Sequence, residues 1–265
     1  MKYIYLITVS FLVLTACKKK EITYGDFDVY GGDKALLKIN YASAFAVSKT
    51  VQFKLNGQRY GALISYRNPY PGGGYNTGGA SSPEYMQIEP GAYDFSISVP
   101  NAGTTNDSIA LYSGKITLET GKNYTLHIAD TAANTKHLLL VDDVSKPAAG
   151  FAKYKFINLI PDAPAVNLYY GDSLVAGNIK YLQHTEYFQF NVPRTSLSWA
   201  VRPTDSSATS NPIANYISTN TIVNQRVYTI FSLGYRSMAS ASAASHPLNR
   251  FFAAQRPYVS FFLER

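Results

Sequence analysis

Short segments with strand character recur along this chain, and their regular spacing is what most constrains the fold. Before residue 145 they lie at 35–41, 51–56, 58–66, 84–89, 92–99, 108–118, 123–130 and 136–142. Turn signals separate them, among them Asn56-Gly57, which is a strong hairpin signal, and Pro90-Gly91. No window has the 3.6-residue apolar period of a long helix. The pattern predicts an all-β chain of antiparallel, immunoglobulin-like β-sandwiches.

The second half of the chain repeats the first half in the same order. Residues 38–40 (KIN) align with residues 156–158 (FIN), and residues 124–126 (YTL) align with residues 228–230 (YTI). The offset between the halves falls from about 118 to about 104 between these two matches. The first copy therefore carries extra residues, and the sequence places them at 67–83. A fixed repeat of this length indicates two tandem domains.

Residues 155–169 of the second copy read KFINLIPDAPAVNLY. This stretch resembles the opening of an envelope family called domain of unknown function 4397, which reads approximately V-N-x-S-P-D-A-P-A-V-D-V-Y. It departs at Ile160 and Asn167, where the family usually has Ser and Asp. The resemblance covers most of residues 151–265 and only weakly residues 35–144, which lack the Pro-Asp-Ala-Pro core. It implies secreted or lipid-anchored β-sandwich repeats with no established activity.

The Pro161–Pro164 segment of this motif has the composition of a turn between two strands. Proline presets φ, and the Asp162 carboxylate is suited to accept hydrogen bonds from nearby backbone amides. The alternative is a calcium ligand, but the neighbouring oxygen donors of a calcium loop are missing from the sequence. We therefore predict a structural role for Asp162.

The start of the chain predicts export and lipidation. Residues 4–13 are apolar, and this run is shorter than the ~20 residues of a membrane-spanning helix. Leu14-Thr15-Ala16-Cys17 resembles the lipobox of bacterial lipoproteins, whose Cys is acylated before the peptidase cuts. We predict a signal peptide at 1–16, an acyl (palmitate) anchor on Cys17 and a polar tether at 17–34. The alternative is a buried N-terminal strand.

Lys18 follows the acylated position, where an Asp would favour retention in the inner membrane of Gram-negative bacteria. The expected location is therefore the outer membrane, with the periplasmic and surface faces both open. Beyond the tether, the sequence predicts β-sandwich repeats at 35–144 and 151–265. A linker at 145–150, which contains Pro147 and Gly150, is expected to make the two domains separable.

Composition and motifs argue against several classes of activity. The formal charge is +7, but three of the positive charges lie together in residues 18–20, so nucleic acid is not an expected partner. One Cys and four scattered His predict no metal centre. The chain has no G-x-S-x-G, S-x-x-K or H-E-x-x-H motif, and its Gly72–Gly74 and Gly121-Lys122 segments are turns. We expect no cofactor and no enzymatic activity.

Two segments exceed the length of a hairpin loop, at 67–83 and 235–254. Tyr among Gly, Ser and Asn is the composition of adaptable binding loops, whereas a plain connector would use the same rings to cover a sandwich end. The candidate ligand-binding residues are Arg67, Tyr70 and Tyr75 in the first segment and Arg250, Phe251 and Phe252 in the second. Trp199 alternates with Leu197 and Val201 and is predicted to be a core residue.

These features predict a non-enzymatic, lipid-anchored protein of the cell envelope that acts as a binding or structural module. Its expected partners are the membrane, through the lipid on Cys17, and a glycan or an envelope protein. One alternative is a glycan-binding lipoprotein that presents substrate to an outer-membrane uptake system. The other is an envelope hydrolase whose site is assembled from loops.

Replacing Cys17 with Ala tests the predicted anchor. The variant is expected to be exported without a lipid, because the only thiol of the chain is lost. Mass spectrometry of the wild-type protein should show a chain that begins at Cys17 and carries the mass of the acyl chains. An intact, unmodified N-terminus in the wild-type protein would contradict the prediction.

Overall fold

The structure is a computed structural model that describes residues 32–43, 50–72, 82–192, 195, 197–238 and 255–265. The segment Gly32–Arg265 forms one compact unit. Its described residues form β-strands, with three short 3-10 turns at Ala132–Asn134, Thr219–Thr221 and Arg236–Met238. The all-β prediction is confirmed.

The first repeat consists of two sheets around a shared core. Its strands are β1 (Ala35–Tyr41), β2 (Gln52–Leu55), β3 (Gln58–Arg59), β4 (Pro69–Tyr70), β5 (Met86–Ile88), β6 (Gly91–Pro100), β7 (Asp107–Leu118), β8 (Asn123–Ala129) and β9 (Lys136–Val141). One sheet has the order β4-β1-β8-β9, with β5 also paired to β1, and the other has the order β3-β2-β6-β7. Alternate residues of β1 and β2 point into the core, among them Leu37, Ile39 and Phe53, which are fully buried.

The second repeat has the same plan. Its strands are β10 (Phe151–Asn158), β11 (Val166–Tyr170), β12 (Ser173–Ile179), β13 (Phe188–Asn191), β14 (Trp199–Pro203), β15 (Ala214–Tyr216), β16 (Val227–Leu233) and β17 (Tyr258–Leu263). The sheets have the orders β13-β10-β16-β17 and β12-β11-β14-β15. Strand order therefore repeats between the halves, with β10, β16 and β17 in the places of β1, β8 and β9.

The described strand pairs are antiparallel, as predicted, except for one parallel pair in each repeat. β1 pairs in parallel with β8, and β10 pairs in parallel with β16. Between the members of each pair the chain crosses to the second sheet and returns, so both strands enter their sheet from the same end. In each repeat, two strands that are far apart in sequence thus form the centre of the sheet that contains them.

In the first repeat, local sequence signals predicted one turn correctly, while two predicted segment boundaries differ from the structure. Asn56 and Gly57 both have positive φ, at 47° and 79°, which gives the predicted hairpin between β2 and β3. The strand predicted at 58–66 ends at Arg59, and the predicted loop at 67–83 begins with strand β4. Both differences involve Tyr70, whose hydroxyl accepts a bond from the Ala62 amide at 2.8 Å. The short β4 is stabilised by this contact and by its pairing with β1.

Aromatic rings dominate the core of the second repeat. The side chain of Trp199 is fully buried, as predicted. Its ring centroid lies 4.7 Å from that of Tyr170, 5.2 Å from that of Tyr154 and 5.5 Å from that of Phe190. The indole nitrogen donates to the Thr221 hydroxyl at 3.1 Å. Trp199 therefore both fills the core and satisfies its one donor.

A second buried face joins the two repeats, and we call it the inter-repeat face. It is formed by the outer sides of β1, β8 and β9 in the first repeat and of β10, β16 and β17 in the second. Ile157, Phe231 and Phe262 of the second repeat belong to the same apolar cluster as the core of the first. The His127 ring of the first repeat lies 6.2 Å from Phe231 and stacks at 6.3 Å on Phe262.

Charged side chains cross the inter-repeat face in matching positions. The Lys38 ammonium donates to the carbonyl oxygen of Leu263 at 2.9 Å, and the Lys155 ammonium donates to that of Val141 at 3.2 Å. Lys38 is fully buried and Lys155 is nearly so, although lysine rarely is. Each lysine of one repeat therefore binds the last residue of the edge strand in the other repeat.

Strand register corrects the sequence alignment by one residue. Leu37 lies opposite Tyr124 in the first repeat, and Tyr154 lies opposite Tyr228 in the second. Since Tyr124 and Tyr228 are equivalent, Lys38 corresponds to Lys155 rather than to Phe156. A shift of one residue exchanges the two faces of a strand, so only the corrected alignment places both lysines on the inter-repeat face.

The two carboxylates of the face accept bonds from hydroxyl groups of their own repeat, and Glu264 also accepts a bond from the Asp143 amide of the first repeat at 2.8 Å. Asp142 accepts bonds from Thr125 at 2.6 Å and from Tyr85 at 2.9 Å. Glu264 accepts bonds from the Thr229 hydroxyl and, at 2.6 Å, from the Tyr187 hydroxyl. The Lys155 ammonium lies 3.6 Å from Glu264 and 4.0 Å from Asp142, so it interacts with both carboxylates.

Burial shifts the protonation of several groups on this face. Burial raises the pKa of Glu264 to about 7, and the Asp142 charge adds to the shift, whereas the Lys155 charge opposes it. Burial also lowers the pKa of Lys38, against the opposing charges of Asp142 and Glu264. For His127, burial and the two lysines lower the pKa to about 3, so its ring is neutral.

The inter-repeat face bears on the predicted separability of the domains. Taken apart, the halves would expose Phe231 and Phe262 to water and leave the Lys38 and Lys155 ammonium groups without their carbonyl partners. Separate folding of residues 35–144 and 151–265 stays a prediction, and this face favours joint stability of the two repeats instead.

Replacing Glu264 with Gln tests the raised pKa. The folded protein retains a proton that the unfolded chain releases between pH 4.5 and about 7, so this group's contribution to stability falls as pH rises through that window. Chemical denaturation across this range should show wild-type stability falling relative to the variant, by roughly 3 kcal/mol at most. The His127 contribution, which changes in the opposite direction, cancels in the comparison. Exposed Glu186→Gln is the control, and a pH-independent difference would contradict the prediction.

Candidate binding surfaces

Two of the predicted ligand-binding residues, Arg67 and Tyr70, lie within the described residues. The other four, Tyr75, Arg250, Phe251 and Phe252, lie outside them, as do the signal peptide at 1–16 and the lipidation site Cys17.

Tyr70 is held against its own repeat. Its ring covers Gly61, where an added Cβ would lie 1.9 Å from the Tyr70 hydroxyl oxygen. Gly61 has a φ of +73°, a conformation that glycine adopts without strain. Tyr70 therefore has a packing role between β1 and the segment that follows β3.

Arg67 contacts the second repeat. Its guanidinium carbon lies 4.4 Å from the ring centroid of Tyr258 in β17 and 5.4 Å from that of Tyr66. Cation–π contacts of this kind stabilise by about 0.5–2 kcal/mol, depending on burial. On the same side of the molecule, the Tyr235 hydroxyl donates to the Asp130 carboxylate at 2.7 Å. Burial, together with the bond to Asp130, raises the pKa of Tyr235.

We call Tyr66, Arg67, Asp130, Tyr235 and Tyr258 the junction cluster. Arg67 begins the predicted loop at 67–83, Tyr235 begins the segment at 235–254, and Tyr258 follows that segment closely. The contacts of Arg67 with Tyr258 and of Tyr235 with Asp130 bring the bases of the two segments together. The composition of each segment indicated a binding loop, but nothing in the sequence indicated that the bases of the two segments lie together.

An open groove of about 620 Å³ lies at one end of the sheet β3-β2-β6-β7. It runs between the segment after β3 and the loop from β6 to β7, and its lining includes Arg59, Leu63, Val99, Asn101, Ser108 and Ile109. Leu63 and Ile109 are 42% and 44% exposed, which is high for branched apolar side chains. No aromatic ring is among the described lining residues.

A polar cluster beside the groove fixes the start of β7. The Asp107 carboxylate accepts bonds from Lys54 at 2.7 Å and from Gln52 at 2.7 Å, and also from the Ser98 hydroxyl. The bond from Lys54, followed by that from Ser98, lowers the pKa of Asp107. The Asp107 charge is therefore paired with Lys54, while Arg59, the one charged side chain of the described lining, has no ion-pair partner in the described part of the chain.

Asp162 joins two distant parts of the second repeat. Its carboxylate oxygens accept bonds from the Arg236 amide at 2.5 Å and from the Ser237 amide at 2.8 Å. It thereby caps the 3-10 turn that follows β16, and the predicted bonding to backbone amides is confirmed. The amides come from the start of the segment at 235–254 rather than from the Pro161–Pro164 turn itself.

The described residues contain no group of three or more His, Cys, Asp or Glu side chains placed to hold a metal ion. Lys38, His127, Asp142, Lys155 and Glu264 are buried on the inter-repeat face, whereas the buried Lys54 is paired with Asp107 beside the groove and none of these side chains lines it. The groove thus offers apolar contact, backbone groups and a guanidinium, which is an arrangement for binding.

The sequence matches the family described as Domain of unknown function (DUF4397) over residues 25–169 and 152–248. Together the matches span most of the chain. The protein belongs to the DUF4397 family. The resemblance carried by residues 155–169 is therefore confirmed, and the first match extends through the first repeat, where the sequence showed the motif only weakly.

No curated protein matches the sequence. Among solved structures, the chain is similar to one titled "Alpha-glucan binding by a streptococcal virulence factor", with 10% identity and a TM-score of 0.22. The likeness covers 74% of this chain and 92% of the streptococcal protein. With a TM-score below 0.5, it bears on neither the ligand nor the fold of this DUF4397 protein.

Replacing Asp162 with Ala tests the role of the DUF4397 motif. The variant loses both bonds to the 3-10 turn and is expected to be less stable by roughly 0.5–2 kcal/mol, the usual cost of removing a cap. Chemical denaturation measures this loss, and faster tryptic cleavage after Arg236 would locate it. The control is Asp172→Ala in an exposed turn, and equal stability of the two variants would contradict the prediction.

Proposed function

We propose that this DUF4397 protein is a non-enzymatic binding module of the cell envelope, and that its ligand is an extended segment of another envelope protein. The observation that carries the proposal is the groove at the end of β3-β2-β6-β7, with exposed Leu63 and Ile109 and with Arg59, which forms no ion pair with any described side chain. An exposed apolar patch of this kind marks interaction sites.

The chemistry of the groove supports a protein segment as its ligand. Leu63, Val99 and Ile109 offer aliphatic contact of the kind that receives apolar side chains. The lining runs from Arg59 in β3 to Ile109 in β7, the two edge strands of this four-stranded sheet, so the groove crosses the end of the sheet and suits an extended segment. Arg59 is complementary to an acidic side chain or a terminal carboxylate. The favoured ligand is therefore an extended segment that carries an acidic residue.

The proposed location is the outer membrane, through acyl chains on Cys17. The support is the short apolar run at residues 4–13 followed by the lipobox-like residues 14–17. Within the described residues, no helix is long and apolar enough to cross a bilayer. The polar residues 18–34 would hold the folded unit away from the lipid surface.

A glycan-binding lipoprotein is the second candidate, and the junction cluster favours it. Tyr66, Tyr235 and Tyr258 lie around Arg67 and Asp130, and tyrosine rings with charged neighbours suit sugar stacking and hydrogen bonding. In that case the glycan would bind near Tyr70, Tyr75, Phe251 and Phe252, and the protein would present it to an outer-membrane uptake system.

The test is a binding screen of residues 21–265 against extended peptides, in acidic and neutral versions of the same sequence, and against glycans. Acidic peptides are expected to bind more tightly. Arg59→Gln should weaken them about 10-fold or more, because a charged hydrogen bond is lost. Leu63→Ser and Ile109→Ser should weaken both peptide versions.

Exposed Lys180→Gln in the second repeat is the matched control for Arg59→Gln. Peptides that bind equally well to all groove variants would contradict the proposal. Glycan binding that is lost when Tyr70 and Tyr75, or Phe251 and Phe252, become Ser would favour the second candidate instead.

A further inference from the structure

We propose that the inter-repeat face is a self-complementary association surface. The two repeats of this chain then bind each other as two copies of one repeat would bind in a homodimer. The partner that the face fits is a second copy of the same repeat. The linker at 145–150 then only keeps the two repeats close to each other. The contacts of the inter-repeat face provide the affinity between them.

The first support is the reciprocity of the contacts that cross the face. Lys38 binds the Leu263 carbonyl of the second repeat, and its equivalent Lys155 binds the Val141 carbonyl of the first. Val141 and Leu263 are themselves equivalent, because they lie opposite the matched residues Tyr124 and Tyr228. A contact in which residue i meets j and j meets i is the mark of a two-fold, isologous interface.

The second support is that each repeat carries the same set of polar groups. The first contributes Lys38, Tyr85, Thr125 and Asp142, and the second contributes Lys155, Tyr187, Thr229 and Glu264. Both lysines also lie over the tyrosine ring of their own repeat, at 4.3 Å and 4.8 Å. In each repeat the Thr and Tyr hydroxyls bind the carboxylate of that same repeat.

The third support is the balance of charge on the face. Two lysines and two carboxylates are buried together, and an unpaired buried charge costs several kcal/mol. Within its own repeat Lys155 lies 3.6 Å from Glu264, and Lys38 feels the charge of Asp142, but neither lysine has the carbonyl of the opposite edge strand without the other repeat. A surface of another protein would have to offer a free strand-end carbonyl and an apolar area matching Phe231 and Phe262. A second repeat offers both.

The linker contacts are compatible with a tethering role. Ser145 binds the Lys153 ammonium at 2.8 Å, and the Pro147 carbonyl accepts a bond from Gln225 at 3.4 Å. Ala148 and Ala149 are exposed, and an insertion between them interrupts the turn bond from the Phe151 amide to the Ala148 carbonyl at 3.2 Å but no side-chain contact of the inter-repeat face.

The experiment cuts the linker of the folded full chain. A protease site is inserted between Ala148 and Ala149, the protein is folded intact and cleaved, and its mass is measured by size exclusion with light scattering. The two fragments are expected to remain a 1:1 complex without any substitution. Elution as two separate fragments under native conditions would overturn the proposal.

Matched variants then test the reciprocity. Lys38→Met and Lys155→Met are each expected to weaken the cleaved complex about 100-fold or more, by leaving buried carboxylates without a counter-charge. The two effects should agree within about threefold, and exposed Lys136→Met on β9 should have none. A large effect of one lysine and none of the other would overturn the proposal, since an isologous face requires both. Lys38→Arg and Lys155→Arg, which keep the charge, give the same comparison if the Met variants fail to fold.

Discussion

Four charged side chains buried between two sheets set the main constraint on this structure. Taking Lys38, Lys155, Asp142 and Glu264 out of water is costly, and the cost is offset only when every partner is in place. Those partners come from both repeats, so the face stabilises the chain only in one register and one relative orientation. Apolar packing around Phe231 and Phe262 provides buried area on the face, whereas the charged groups select its register and orientation.

This constraint leaves the far sheets free to serve as binding surfaces. The central strands β1, β8, β10 and β16 have both sides covered, while the sheet β3-β2-β6-β7 carries the groove with its exposed Leu63 and Ile109. The junction cluster lies instead where the two repeats meet. A protein segment and a glycan would thus approach different parts of the molecule, so Arg59→Gln tests the first proposal without changing the junction cluster.

Local signals in the sequence predicted much of the fold. The Asn56-Gly57 hairpin, the burial of Trp199 and the all-β class follow from turn chemistry and alternation. Lys38 was missed because an alternating strand predicts its polar side in water, and here a second sheet covers that side. β16 (VYTIFSL) and β17 (YVSFFL) are rich in apolar residues on both faces and contain no charged residue, which is the signal of burial on both sides. The Arg67–Tyr258 contact had no local signal, because pairing between repeats depends on tertiary structure.

The parallel pairs at the centre of each repeat have a consequence for the order of folding. Leu36 pairs with Asn123, and Lys153 pairs with Val227, so each central strand waits for a partner that is synthesised much later. Contacts between residues so distant in sequence form slowly, because a long loop must close before any of them stabilises the chain. β1 can pair with β4 and β5 as soon as these are synthesised, but its edge toward β8 stays unpaired until β8 follows. An unpaired edge in a nascent chain is open to pairing with other chains.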